Sequence, residues 1–356
     1  MKPRSSTPNG WRSIANYANN IAEAGAGHFT TSLYGATTDP IRNLLSGTHR
    51  RLAREIQSPD VVHLTHQTIA PYVHATRRTP SVVTLHDFIP VMFRARTIGL
   101  DRLWAYTFKR SGRALRDLPL VFANSDCTAR DASRELGLDP ARIITIPVSV
   151  ARVFYSGASG VSPMAGLPDR PFVLSLGTRF YNKNLPLLIE ALGRPELAGV
   201  PLVRVGGALS EAQLALAERA GVRDRLFELG ELPLEDLLSA MASAAVLAQP
   251  SVYEGFGMPV AEAMAFGLPV VCSDGGALPE VAVDAARVVP IRQKRYGPPE
   301  PEDVRDFAAA LASVIHDPAE LARLRAAGFA NARRFHPDTV GPQLLAGYNE
   351  VIRRWG

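Results

Sequence analysis

Residues 250–271 read Pro250-Ser-Val-Tyr-Glu254-Gly-Phe-Gly-Met-Pro259-Val-Ala-Glu262-Ala-Met-Ala-Phe-Gly267-Leu-Pro-Val-Val. An apolar run, Ala245–Pro250, leads in, a glycine-containing turn follows, and Pro259 stands where the first position of a helix tolerates a residue without an N–H. The pattern is strand, turn, helix, with strand end and helix start meeting at one point. Free N–H groups at such a helix start, beside Gly255 and Gly257, can grip an anion or a sugar hydroxyl. Glu254 is expected to project from the loop and Glu262 from the helix's first turn, so that two carboxylates meet one ligand at separate points. Carboxylates accept hydrogen bonds from vicinal hydroxyls, and a ribose at one with a hexose at the other fits that chemistry. The plainer alternative makes Glu262 a dipole-favoured helix-start acid and Glu254 a surface turn residue.

Outward from this block, short Val- and Ile-rich runs alternate with amphipathic segments of helical length, the pattern of α/β units around parallel sheets. Strands are predicted at His28–Tyr34, Asp60–His66, Ser81–Asp87, Leu118–Ser125 and Arg142–Val148, with helices at Ser13–Ala24, Leu100–Leu115 and Ser125–Leu136. The rhythm restarts at Pro171–Thr178, Pro201–Gly206, Leu226–Gly230, Ala245–Pro250, Leu268–Ser273 and Arg287–Pro290. Helices near Pro301–Ile315, Pro318–Phe335 and Val340–Trp355 close the chain. The expectation is two doubly wound, Rossmann-like domains, 1–155 and 171–335, joined through the breaker-rich Tyr155–Pro171. Residues 336–356 are expected to pack back on the first domain. Ligands of open α/β sheets bind outside the carboxyl ends of the strands, which makes the cleft between two such domains the default site.

A chain of 356 residues exceeds what one core usually carries, and 46% hydrophobic with 21% charged residues excludes disordered and collagen-like classes. No stretch approaches the ~20 consecutive apolar residues of a membrane span. Met1–Trp11 is basic and polar, unlike a secretory signal, so a cytoplasmic location is expected. Cys127 and Cys272 lie far apart and form no metal pattern; they read as packing thiols. Residues 1–150 hold 19 Lys+Arg against 11 Asp+Glu, and the remainder 20 against 23. The basic half suggests a partner such as an anionic membrane surface at the inner face, met peripherally. No nucleic-acid motif accompanies the charge, and no nucleic acid is expected as a partner.

The Glu254-x7-Glu262 spacing, with Leu226-Phe-Glu-Leu-Gly230, Asp236-Leu-Leu, Gly267-Leu-Pro-Val-Val and Gly276-Ala-Leu-Pro-Glu280-Val around it, resembles the retaining GT-B glycosyltransferases of family 4. The likeness runs from about Val61 to the C-terminal helix and is strongest from Leu174 to Pro290. It implies that Glu262 holds the nucleotide ribose and Glu254 the donor sugar, with backbone amides around Gly255, Phe256, Gly257 and Met258 completing the sugar subsite. Backbone near Gly230 would meet the base.

Leu176-Gly177-Thr178-Arg179-Phe-Tyr-Asn-Lys183-Asn184 closes one strand and opens a helix, with two cations on the loop. Fixed cations there would lower the barrier to departure of a nucleoside diphosphate. Lys183 falls at the family's offset from Gly177, whereas Arg179 lies one position beyond the commonest arginine, whose place Thr178 takes. His86 ends the strand Ser81–Asp87, where family members carry a His next to the donor sugar. Asp87 follows it, and His66, with His63, Thr65 and Gln67, lies on the acceptor side. Asn124-Ser125-Asp126 reads either as the family's strand-to-helix turn or as a helix cap.

The N-terminus matches least. Relatives begin with a strand feeding a glycine-rich phosphate loop, for which this chain offers only Asn9 and Gly10. Either that strand is short or absent, or the true start lies upstream.

Asp-x-Asp and carboxylate clusters for hard metals are absent from the sequence, which is consistent with metal-independent transfer and no cofactor. Walker A and Gly-x-Gly-x-x-Gly patterns are also missing. A starch-synthase-like polymerase would show Lys-x-Gly-Gly near the start, and a UDP-sugar epimerase a different acidic and histidine set. The sequence therefore points to hexosyl transfer from a nucleotide sugar, GDP-mannose favoured over UDP-glucose or UDP-N-acetylglucosamine, to a glycan or lipid-linked acceptor. The alternative is a catalytically silent GT-B-fold scaffold partner of a transferase.

Overall fold

Runs of Val, Ile and Leu become parallel strands wherever both faces of the chain can be covered, and two sheets form this way. The computed structural model describes residues 12–31, 59–76, 79–89, 111–162, 164–177, 181–294 and 297–355. The chain divides into two units, Met1–Ser149 with Pro337–Gly356, and Val150–His336.

In the first unit β1 (Val62–Leu64), β2 (Ser81–Leu85), β3 (Val121–Ala123) and β4 (Ile143–Thr145) pair in parallel in that order. β2 and β3 are buried throughout, as covered parallel strands are. Helix α1 (Arg12–Gly25) turns Tyr17, Ile21 and Ala24 into the core at helical spacing. Of the strand expected at His28–Tyr34, residues 28–31 are described and form no strand, because the His28 and Phe29 N–H groups both bond back to the Gly25 carbonyl and close the helix; residues 32–34 lie outside the described residues. Helix α2 (Asp126–Leu136) opens at Ser125, whose Oγ accepts the Thr128 N–H at 3.0 Å, so the cap alternative holds at that position. Ser125→Ala should lower first-unit stability by about 1 kcal/mol. Urea unfolding would measure this, and an unchanged midpoint would contradict the cap's role. The C-terminal helix, Pro337–Trp355, belongs to the same unit and begins before the expected Val340. Its Gly341 lies so close to the Ala24 carbonyl that a Cβ would collide with it.

In the second unit β5 (Val173–Leu176), β6 (Leu202–Val205), β7 (Leu226–Gly230), β8 (Val246–Gln249), β9 (Val270–Ser273) and β10 (Arg287–Val289) form a parallel sheet in the order β10-β9-β8-β5-β6-β7. The chain adds strands outward from β5 to β7, then returns to build from β8 to β10 on the other side. β5 and β8 are therefore neighbours across a topological switch point. The connecting helices are α3 (Leu185–Leu192), α4 (Glu211–Arg219), α5 (Leu234–Ser243), α6 (Met258–Phe266), α7 (Leu278–Ala282), α8 (Pro301–Ile315) and α9 (Pro318–Ala332).

The division between units falls at Ser149/Val150, earlier than the expected Tyr155–Pro171. The turn Arg152–Ser156 is held by the second unit: Phe154 is buried, and the Tyr155 hydroxyl donates to the Ala332 carbonyl at 2.9 Å. Among the described residues no helix is long and apolar enough to cross a membrane.

Candidate functional site

The switch point brings the loop after β5 beside the loop after β8, and the two sequence-predicted charges meet there. Lys183, at the end of the short turn Tyr181–Lys183, donates to Glu254 Oε1 at 2.8 Å. The same oxygen accepts from Ser251 Oγ at 2.6 Å and Gln249 Nε2 at 2.7 Å. Glu254 does not project as expected: it is 7% exposed, because three donors at the end of β8 draw its carboxylate inward. One oxygen is saturated and Oε2 has no donor among the described residues, leaving a fixed acceptor for a ligand hydroxyl.

Glu262 stands in the second turn of α6 rather than the first, since the helix starts at Met258 and has no acid in its first turn. It is half-buried, and no hydrogen-bond donor among the described residues reaches it. Burial raises its carboxyl to about 7, with the Lys183 ammonium pulling the other way. A carboxylate placed in such surroundings without donors is poised for donors that arrive with a ligand.

The start of α6 supplies the backbone part of the site. Gly257 caps it at φ +98, and a Cβ there would come 2.6 Å from Leu278 Cδ2, so both conformation and space require glycine. With no side-chain cap, the N–H groups of Phe256, Gly257 and Met258 have no acceptor among the described residues. Phe256 is buried edge-on against Phe335 at 5.3 Å, which anchors the turn. Gly255 is buried in the same turn.

Gly177, Gly206 and Gly230 follow or end three neighbouring strands, tied by Gly177 N–H to Val205 O at 3.1 Å and Gly206 N–H to Gly230 O at 2.7 Å. A Cβ on Gly206 would overlap the Gly177 carbonyl. The carboxyl ends of β5, β6 and β7 therefore form a floor without side chains, where a ligand can approach backbone.

In the first unit three histidines gather at the carboxyl ends of β1 and β2. His86 Nε2 bonds the Thr65 carbonyl at 2.7 Å, which fixes the proton on that nitrogen and leaves Nδ1 as an acceptor. Its backbone is held by Gln67 Oε1 on the N–H at 3.0 Å, and by Asn124 Nδ2 at 3.0 Å and Thr128 Oγ1 at 3.3 Å on the carbonyl. His66 stacks on His86 at 5.5 Å, and its Nδ1 accepts the Thr68 N–H. Tyr17 meets the His86 ring edge-on at 4.5 Å. Burial lowers His86 to about 4 and His63 to about 3, so both rings are neutral near pH 7. His63 is spent on structure, bridging Tyr348 and Thr84. Asp87 Oδ1 accepts the Ile89 N–H at 3.1 Å, closing the turn after β2.

Asn9, Gly10 and Arg179 lie outside the described residues. Sequence reasoning missed Gln249 and Ser251, although a polar residue ending an apolar strand was a visible signal. It also missed Tyr17, Thr84 and Tyr348, whose roles appear only when distant segments pack together.

Residues 165–331 match the family described as Glycosyl transferases group 1, and residues 18–151 match Glycosyltransferase Family 4. The MMP alpha-(1->4)-mannosyltransferase of Mycolicibacterium hassiacum is 28% identical over 265 residues, which are 72% of this chain and 60% of that protein. The O-antigen chain mannosyltransferase B of Escherichia coli is 28% identical over 281 residues, 75% of this chain and 70% of that protein. Among solved structures, Anabaena HepE in complex with UDP and glucose superposes with a TM-score of 0.73 at 18% identity, covering 98% of each chain. At that identity the likeness concerns the fold.

Proposed function

Because the chain belongs to the family 4 glycosyltransferases and has their GT-B fold, we propose that it transfers a hexose from a nucleotide-diphosphate sugar to a glycan or lipid-linked acceptor with retention at the anomeric carbon. The observation that carries this reading is Lys183 bonded to Glu254 and electrostatically facing Glu262, at the switch point and beside a helix start with unfilled N–H groups.

In this reading Glu262 takes the ribose hydroxyls, and Glu254 Oε2 takes a hydroxyl of the donor sugar. The Phe256, Gly257 and Met258 N–H groups bind nearby oxygens of the donor. Lys183, joined by Arg179, balances the negative charge that grows on the leaving diphosphate, so activity is expected to survive a chelator. His86 is neutral and offers Nδ1 to a sugar hydroxyl, a positioning role rather than that of an acid. The diphosphate leaves from the face the acceptor enters, so no enzymic nucleophile is required. Mannose is favoured because the M. hassiacum and E. coli relatives are mannosyltransferases. The UDP in HepE keeps UDP-glucose and UDP-N-acetylglucosamine in the comparison.

The test is a thermal-shift panel of GDP-mannose, UDP-glucose, UDP-N-acetylglucosamine, GDP and UDP without added metal, repeated on Glu262→Ala. One nucleotide series should stabilise the wild type by about 2.7 kcal/mol at a hundredfold excess over Kd, and the variant should lose the effect. A flat response to every compound would contradict donor binding and leave a silent scaffold as the reading.

A further inference from the structure

Arg204 is a charge that these roles leave unused. It interrupts the otherwise apolar β6, Leu-Val-Arg-Val, and is 3% exposed. Its guanidinium turns toward the carboxyl edge of the sheet, where Nη2 donates to the Gly177 carbonyl and Nη1 to the Val205 carbonyl at 2.5 Å each. A longer bond of 3.4 Å runs from Nη1 to the Ser175 carbonyl. These carbonyls belong to the ends of β5 and β6, directly at the glycine floor. Among the described residues the acidic group that faces Arg204 is Glu228, opposite it in register on β7; Glu228 is exposed, with Oε2 accepting the Leu209 N–H at 2.9 Å. Solvent therefore screens the acid while the cation lies dry.

Burial lowers Arg204 to about 10, still far above neutrality, so the strand holds a desolvated positive charge. An aliphatic side chain would satisfy the strand pattern without that cost. Arg204 also reaches the machinery already described. It fixes the Gly177 carbonyl, and the Lys183 stem runs so close to Gly177 that a Cβ there would come 3.2 Å from Lys183 Cε.

We propose that Arg204 is a built-in counter-charge for the donor's diphosphate, acting from beneath the glycine floor and through the Gly177 turn, so that it selects for phosphate charge without touching the ligand. The proposal rests on the donor-binding reading above. A purely structural Arg204 would tie strand ends together and be indifferent to ligand charge, and the two roles separate in binding data.

Calorimetric Kd values for uridine, UMP and UDP, and for guanosine, GMP and GDP, should be measured on wild type, Arg204→Met and Arg204→Lys. Arg204→Met should weaken the diphosphate about tenfold and leave the nucleoside unchanged, while Arg204→Lys keeps most of the diphosphate preference. Equal weakening of nucleoside and diphosphate, or no change in either, would overturn the proposal in favour of strand tying. If the methionine variant does not fold, the neutral donor Arg204→Gln takes its place and should show the same loss confined to the diphosphate, which strand tying does not produce. Arg204→Lys is the control for the charge. It keeps the charge and loses the fork of carbonyl bonds, so its Tm should fall while the diphosphate-to-nucleoside ratio stays within about twofold. A ratio that collapses with the Tm overturns the proposal. A wild type that binds none of the six compounds overturns the donor-site reading itself, a different result from binding without charge preference.

Discussion

Lys183→Met is expected to lower kcat roughly 10²–10³-fold, the loss typical when one fixed group that stabilises developing charge is removed. The wild-type ammonium lies 2.8 Å from Glu254 Oε1 before any ligand arrives, so its position is set in advance. Glu254 would keep Ser251 and Gln249 as donors but lose its counter-ion in a buried setting, and the variant should unfold more easily. A cycle with Glu254→Gln separates the two effects. If the pair were only structural, the double neutral variant would recover both stability and turnover. The expected outcome is recovered stability with kcat still depressed, read by urea unfolding and initial rates on the same preparations.

Glu262→Gln should make the free protein more stable at pH 8 while removing nucleotide binding. The folded carboxyl titrates near 7 and the unfolded one near 4.5, so folding favours the protonated form. Stability is therefore lost as pH rises from about 4.5 through 7 and is level above that. Replacing the acid with a neutral isostere should return about 2 kcal/mol at pH 8 and nothing near pH 4. The binding effect has the opposite sign, because ribose hydroxyls donate to the ionised form and binding must release the proton. Wild-type affinity should climb through pH 7 by up to about tenfold per unit, beyond any titration of the ligand phosphate, and the glutamine variant should show only the ligand's part. Lys183→Met should move the same midpoint upward, since the ammonium is what lowers it. A glutamine variant less stable than wild type at pH 8, or one with an unchanged pH profile, would assign Glu262 to scaffolding.

The parts of this site legible in the sequence were those set by local rules. Strand, glycine turn and Pro259-led helix follow one another with little freedom, and the Glu254-to-Glu262 spacing survives into the structure. Lys183 was legible as a loop cation after an apolar strand. What the sequence could not carry was side-chain direction. Glu254 looked like a turn residue facing solvent, yet Gln249, Ser251 and Lys183 turn it inward, and that depends on β8 lying next to β5. The helix start was read one position late, which placed Glu262 a turn too early. Arg204 stood in plain view as a charge within an apolar strand, but its partners are carbonyls of neighbouring strands, which no spacing within β6 reveals. Where the His28–Tyr34 strand was expected to begin, Gly25 offers its carbonyl to two following N–H groups, a local closure that replaces extension over residues 28–31.

The first unit is built from both ends of the chain, with the second unit inserted between them. Synthesis therefore delivers the second unit whole while the first still lacks its last helix. At about 5–20 residues per second, roughly ten seconds or more separate Ser149 from the residues that cover α1. During that interval the faces of α1 and β1 that receive Gly341 and Tyr348 are uncovered, with His63 lacking its tyrosine partner. A nascent chain thus holds the second unit whole before the first, and a stop codon that removed residues 337–356 would harm the unit begun first, not the one inserted into it.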